Sequence, residues 1–258
     1  MALFSKSSNP VFGDNVLNKL KGSKSLVGEG NMTIAGTVQK TGLLTAMTIL
    51  AGAYTWKMVY GAISVSTVIP WMLGGAIAGL VFSLIIVYRP KTAPYLSILY
   101  AAAEGLFLGA ISALFEVAFA EKFPGIVVTA VCITLLTALV MLFVYQTRLI
   151  KVTNKLRSVV VVATFSVVIF YCLGMLLRLF GVNLDLIYGT SLLSIGISVV
   201  IVIIAAFNLL LDFDFIEKGA AAGAPKYMEW YGAFGLMVTL VWLYMEILRL
   251  LAKIAGRD

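Results

Sequence analysis

Acidic side chains at the end of a long apolar run are the residues of this sequence that could do chemistry. In NLLLDFDFIEKG, at 208–219, Asp212 and Asp214 follow a stretch without charge. On a helix Asp214 faces Lys218 at i+4, which predicts a solvated pair at the helix end, whereas Asp212 lies above Asn208 on a face that extends into the apolar run. Because partial loss of water favours the neutral form of a carboxyl group, we expect Asp212 to titrate near neutral pH and to bias helix packing.

Other charges within apolar segments are secondary candidates, because a charge there is costly and often functional. Glu104 lies in the middle of such a segment, where it is either a functional acid or a protonated one bonded to a neighbouring helix. Glu246 precedes Arg249 by three residues, which predicts a same-face structural ion pair. Thr239 lies on the same face one heptad earlier, as a polar lining candidate together with Asn208.

Arg89 ends an earlier apolar run. Two interpretations stay open for it. Its long side chain can extend to the membrane surface, or it can pair with an acid at the same end of the helices.

The residues that are missing exclude several kinds of chemistry. The chain has no histidine, so His-based metal sites, proton relays and Ser-His catalysis are ruled out. Asp212 and Asp214 do not form a catalytic pair, because residues two apart on a helix point to different faces. Lys253, at the end of the last apolar run, is badly placed to carry a retinal. We therefore expect no enzyme and no cofactor; if calcium binds, Asp212 and Asp214 are its candidate ligands, since hard cations prefer oxygen.

The elements that position these residues are membrane helices. The chain has 258 residues, of which 61% are hydrophobic and 12% charged, against about 25% charged in soluble domains. Because a membrane span needs about 20 apolar residues, the pattern predicts an all-α protein with seven spans. We place them near 41–61, 67–88, 94–119, 124–146, 158–180, 186–211 and 229–253.

The distribution of lysine and arginine predicts the orientation. With the N-terminus in the cytoplasm, the inner side carries about twice as many basic residues as the outer side. The C-terminus is then outside, and the DFDFIEKG loop faces the cytoplasm. Residues 1–40 are polar and predict a disordered cytoplasmic tail before a membrane domain at 41–258. The net charge of +7 reflects this topology, and no nucleic-acid partner is expected.

Several short motifs resemble the Bax inhibitor-1 family, most closely its bacterial branch. They are the acid followed by IEK at the end of the sixth span, the loop GAPKYMEWYG, and the last helix with MEILRLLAKI, in which Leu248–Arg249 matches a Leu-Arg pair of the family. The likeness covers about residues 41–253. It implies six helices around a central seventh, in the inner membrane, and a pH-sensitive calcium leak.

The resemblance also implies a proton shared between two aspartates, one from each of the last two helices, and an arginine from the second helix that pairs with one of them. Asp212 matches the first aspartate, and Arg89 matches the arginine. Thr239 stands where the second aspartate is expected, so Glu104 or Asp214 is the alternative partner.

Two functions follow as hypotheses. The first is a non-enzymatic, pH-modulated cation leak, with calcium or protons as the ions that move. The second is a non-conducting regulator that binds other membrane proteins, such as a membrane protease or a stress-response partner. Small residues at four-residue spacing, as in Gly75 and Gly79 or Gly105 and Gly109, suit helix–helix contacts of either kind.

Overall fold

The protein is described from a computed structural model, which describes residues 30–61, 65–181 and 189–257. These residues contain seven α-helices, one 3-10 turn at Pro90–Thr92 and no β-strand beyond an isolated bridge. The helices are α1 Ile34–Tyr60, α2 Val65–Tyr88, α3 Ala93–Ala118, α4 Ile126–Gln146, α5 Asn154–Leu179, α6 Leu192–Ala221 and α7 Met228–Ala255. The predicted all-α class is confirmed for this part of the chain.

Six of these helices, α2 to α7, are long and apolar enough to cross a membrane. The first helix is not among them, because threonines and two lysines interrupt its apolar residues. It begins at Ile34, several residues before the predicted start at 41. The rest of the predicted tail, residues 1–29, and most of the predicted connection after α5 lie outside the described residues.

The sixth helix differs most from its prediction. It runs to Ala221, about ten residues past the predicted end, so that DFDFIEKG is helical and not a loop. The physical reason is that nothing in this stretch breaks a helix before Gly223, whose backbone φ of 67° is the left-handed conformation that glycine tolerates. The connection between α6 and α7 is therefore only residues 222–227, which we call the α6–α7 turn.

The described chain divides into two compact units, and each is described by itself. One contains Phe119–Phe213 and the residues from Thr239 on; it includes α4, α5, most of α6 and the second part of α7. The other contains the described residues up to Ala118 together with Asp214–Val238; it includes α1, α2 and α3.

Small residues bring the first three helices together, as the sequence pattern predicts. α3 packs against both α1 and α2. A Cβ atom added at Gly75 of α2 would lie 2.6 Å from the Ala103 carbonyl oxygen and 3.0 Å from the Phe107 amide nitrogen of α3. Close backbone approach of this kind supplies the packing that apolar contact cannot provide between helices in lipid.

The threonine hydroxyls of α1 lie within hydrogen-bond distance of backbone carbonyls of α1 and α3. Thr48 donates to the Leu44 carbonyl of its own helix at 3.0 Å and lies 3.1 Å from the Ala101 carbonyl of α3. Thr55 similarly lies 3.1 Å from the Leu106 carbonyl. Such bonds within and between helices let a moderately polar helix pack inside a membrane protein.

The contact between α2 and α3 yields a matched pair of variants. We expect Gly75→Ala to lower the free energy of unfolding by about 1–3 kcal/mol, because the new methyl group would collide with backbone atoms that cannot move aside easily. Gly74→Ala is the control, since a Cβ there meets no atom within 4 Å and both changes favour the helix equally. Thermal unfolding in detergent micelles measures the difference; equal midpoints for the two variants would contradict the close approach.

Candidate functional site

The buried polar face of α6 carries the main candidate residues. Asp212 is 0% exposed and Asn208, one turn before it, is 2% exposed. The amide of Asn208 donates to the Thr164 hydroxyl of α5 at 2.9 Å and to the Ile204 carbonyl at 2.9 Å. Asp212 therefore lies on the inward face of α6, as its spacing from Asn208 predicts, and an acid and an amide are both held away from water.

Asp214 is also buried, which corrects the expectation of a solvated helix end. Its side chain is 6% exposed, yet the predicted i+4 pair with Lys218 is present at 2.7 Å. The lysine side chain is 54% exposed, so it covers the acid while its own charge stays in contact with solvent. Both aspartates are therefore buried, and the pair of Asp214 with Lys218 is the one that the sequence predicted.

Glu246, in the second part of α7, accepts hydrogen bonds from three side chains, which we call the closed network. Its carboxylate accepts from Arg249 at 3.0 Å, from the Tyr171 hydroxyl at 2.8 Å and from the Trp242 indole at 3.1 Å. The Arg249 guanidinium also lies over the Tyr171 ring, 4.8 Å from its centre. The predicted Glu246–Arg249 pair is present, and these contacts give it a structural character. Thr239, on the same helix, is 3% exposed.

Glu104 is half-buried and lies against α2. A Cβ atom at Gly79 would be 2.7 Å from its carboxylate oxygen Oε2, so the glycine provides the room for the acid. Tyr100, one turn earlier on α3, is 4% exposed and meets Phe234 edge to face at 4.9 Å. The acid therefore lies at the α2–α3 contact, beside the small-residue ridge that the sequence identified.

Arg89 is exposed at the start of the 3-10 turn that follows α2. Its side chain forms no ion pair with any residue that the structure describes. Arg89 and Asp212 belong to different units, and their pairing stays a prediction.

Lys253 is a buried residue that sequence reasoning treated only as a helix-end charge. It is 7% exposed, and its ammonium donates to the Ser198 hydroxyl at 2.8 Å and the Ser194 hydroxyl at 2.9 Å. Ser194 and Ser198 are four residues apart on α6, which places both hydroxyls on one face. The four-residue spacing of the two serines indicated a shared polar face in the sequence. Only the packing of α7 on α6 shows that this face binds the ammonium of Lys253.

Glu229 is the other residue that sequence reasoning missed. Its side chain is 0% exposed at the start of α7. The carboxylate accepts from the Thr33 amide at 2.9 Å and hydroxyl at 2.8 Å, from Lys226 at 2.8 Å, and also from Lys40. Lys226 at i−3 was a signal for a local pair, whereas nothing in the sequence connects Glu229 with Thr33 or Lys40, almost 200 residues away.

Metal binding has no preformed cluster in the part of the chain that the structure describes. Within residues 30–61, 65–181 and 189–257, no three His, Cys, Asp or Glu side chains are grouped to hold a metal ion. Asp212 and Asp214 would together supply two carboxylates only, and any bound calcium would need other oxygens, since it takes about six to eight ligands.

The apolar helices and their internally paired charges define a multi-pass membrane protein, for which the bilayer is the environment. The family profile described as Bax inhibitor 1 like matches residues 9–256, nearly the whole chain, and the protein belongs to this family. Comparison with curated proteins gave no match, and comparison with solved structures gave none either.

The closed network around Glu246 gives a stability prediction. We expect Glu246→Ala to lower the free energy of unfolding by about 1–3 kcal/mol, because the half-buried Arg249 loses its countercharge and the Tyr171 and Trp242 donors lose their acceptor. Glu121→Ala is the control: Glu121 is exposed between α3 and α4, and such substitutions change stability by about 0.5 kcal/mol or less. Chemical unfolding in mixed micelles provides both values; a similar small effect for both would show that the network contributes little.

Proposed function

We propose that this protein is a pH-modulated cation leak of the inner membrane, with calcium as the permeant ion and Asp212 as the group that takes up the proton. The observation that carries the proposal is the complete burial of the Asp212 carboxyl group on α6, one turn from the buried amide of Asn208. A buried ionisable residue in a membrane helix is a functional candidate because it is costly to keep there.

The proposed mechanism follows from the cost of a buried charge. When Asp212 is ionised, its charge needs donors or a cation nearby, and when it is protonated that need is removed. The change alters how tightly α6 packs, which makes the protonation state a bias on helix position. Arg89 is the proposed countercharge, and Asp214 and Glu104 are the proposed second acids, since Thr239 stands where the family has an aspartate.

We propose a topology of seven spans with α1 included and α7 in the centre, the N-terminus in the cytoplasm and the C-terminus outside. Two observations support it. More than half of the most apolar stretch of α7 is buried within the protein, a larger share than in any of α2 to α6. The hydroxyl groups of α1 are bonded to carbonyls, as a helix in lipid requires.

The proposal includes no enzymatic activity and no resident cofactor, and it places the chain in the bacterial branch of the family. The alternative is a regulator that conducts nothing and binds other membrane proteins. The small-residue ridges that could serve a partner helix are engaged inside the protein, where Gly75 meets α3 and Gly105 meets α1. We therefore favour the leak, and the regulator is the other outcome of the test.

The test is calcium entry into liposomes that contain only this chain, after a step from about pH 8 to about pH 6. We expect a flux that differs between the two conditions. Since asparagine resembles protonated aspartic acid, Asp212→Asn should keep the flux at both pH values near the level that the unmodified protein has at the lower pH. Calcium entry is followed with an internal calcium dye.

Glu121→Gln is the matched control, because the same kind of change neutralises an exposed carboxylate between α3 and α4. It should leave the pH dependence in place, and Asp214→Asn and Glu104→Gln test the two proposed second acids separately. Unchanged pH dependence in Asp212→Asn would exclude Asp212 as the sensor. No flux from the folded, unmodified chain at either pH would favour the regulator.

A further inference from the structure

The segment before α1 is held against the α6–α7 turn by backbone contacts. The Met32 amide donates to the Ala224 carbonyl at 2.7 Å, and Asn31 forms an isolated antiparallel bridge with Pro225. The turn presents this edge because α6 ends at a left-handed glycine, with the Ala224 amide bonded back to the Gly219 carbonyl at 3.0 Å. This pattern is a Schellman motif, which fixes the direction in which the chain leaves the helix.

The Met32 side chain fills a space between α6 and α7. Met32 is 2% exposed. Its sulfur lies 3.0 Å from where a Cβ at Gly219 would be, and its methyl group lies 3.5 Å from where a Cβ at Gly232 would be. Both helices therefore offer glycine where the methionine enters, and any larger residue there would displace it.

Glu229 supplies the polar half of the same contact. Its buried carboxylate is bonded to Thr33 directly after Met32, and to Lys40 from α1. Gly36 lies so close to this carboxylate that a Cβ there would overlap with it. The two lysines that neutralise the acid remain in contact with water, with side chains 18% exposed for Lys40 and 48% exposed for Lys226.

We use the name strap for residues 31–40, which are the segment before α1 and the first two turns of α1. We propose that the strap forms a releasable clamp on the α6–α7 turn and thereby restrains the ends of α6 and α7. The contact is small, with one bridge, one methionine and one carboxylate cluster. Short contacts of this kind can open without unfolding the helices they join. This clamp does not depend on ion conduction.

The chemistry of Glu229 makes the contact close to all-or-none. A buried carboxylate that loses a charged partner is strongly destabilised, because its charge is left without compensation. Thr33, Lys40 and the adjoining backbone contacts are therefore expected to leave together, after which Glu229 is hydrated. A bistable element whose two states differ in a few contacts is the usual basis of a conformational switch.

The strap and the part of α6 that continues from Asp212 both approach the same glycine of α7. Ile216 follows Asp212 by four residues. A Cβ at Gly232 would lie 3.2 Å from Cγ1 of Ile216 and 3.2 Å from Cγ2 of Thr37 in the strap. Movement of the strap would thus free the side chains around Ile216.

A disulfide across the bridge tests docking directly. In the full chain with Cys132→Ala and Cys172→Ala, which remove the two exposed free cysteines, we introduce Asn31→Cys with Pro225→Cys. Residues paired in an antiparallel bridge have Cα atoms about 4.5–5.5 Å apart, which is within the usual range for a disulfide. We expect rapid oxidation of this pair in liposomes with a mild oxidant, read from the change in migration on a gel. Failure to form the disulfide in the folded protein would overturn docking of the strap.

Release of the strap is tested by adding Glu229→Gln or Lys40→Gln to the same pair. If the carboxylate cluster holds the strap, each change should slow disulfide formation at least tenfold, because the bridge residues are together for less of the time. Asp214→Asn, which removes an ion pair on the same part of α6 but not in the cluster, should leave the rate unchanged. Glu229→Gln and Lys40→Gln are both made so that one of them can still be measured if the other does not fold. Unchanged rates in both folded variants would overturn the role of the cluster.

The restraint on α6 and α7 needs a separate readout. We expect amide hydrogen exchange of 212–232 to be faster in Glu229→Gln than in the unmodified protein, and to return to the slow rate when the 31–225 disulfide is closed. Exchange that the disulfide does not slow would overturn the restraint. Because none of these measurements uses ion flux, a chain that conducts nothing would defeat the proposed leak and leave the strap intact.

Discussion

The fold depends on one constraint, which is that polar groups inside apolar helices must be satisfied by the protein. Water is not available there to hydrogen-bond a charge or a hydroxyl, and an unsatisfied group is costly. Glu246 meets this requirement with an arginine, a tyrosine and a tryptophan, and Lys253 meets it with two serines. Each polar residue thus fixes the rotation of its helix and the identity of its neighbours.

The buried acids lie in different surroundings. Glu229 accepts hydrogen bonds from four donor groups on three other residues, Thr33, Lys40 and Lys226, which suits a clamp. Asp214 is paired with Lys218, whose own charge remains in contact with solvent. Asp212 lies fully buried beside an amide on an otherwise apolar stretch of α6. Because the free energy of burying a charge rises as its partners are removed, the donors around each acid set the cost of ionising it.

Glycine determines where the backbone and the charges can approach each other. Gly75 admits the backbone of α3, Gly79 leaves room for the carboxylate of Glu104, and Gly36 leaves room for that of Glu229. In lipid the close approach of backbones replaces the hydrophobic drive for packing. The glycines therefore serve both stability and the placement of acids, and a methyl group would interfere with either role.

The sequence by itself determined the class of protein, six of the long apolar helices, the inward face of Asp212 and the local pairs Asp214–Lys218 and Glu246–Arg249. These follow from composition and from helical spacing, which act over a few residues. The tertiary structure alone decided that Glu229 meets Thr33 and Lys40, and that Lys253 meets Ser194 and Ser198. Those contacts join residues far apart in the chain, and helical periodicity holds no information about which distant face a charged residue will meet.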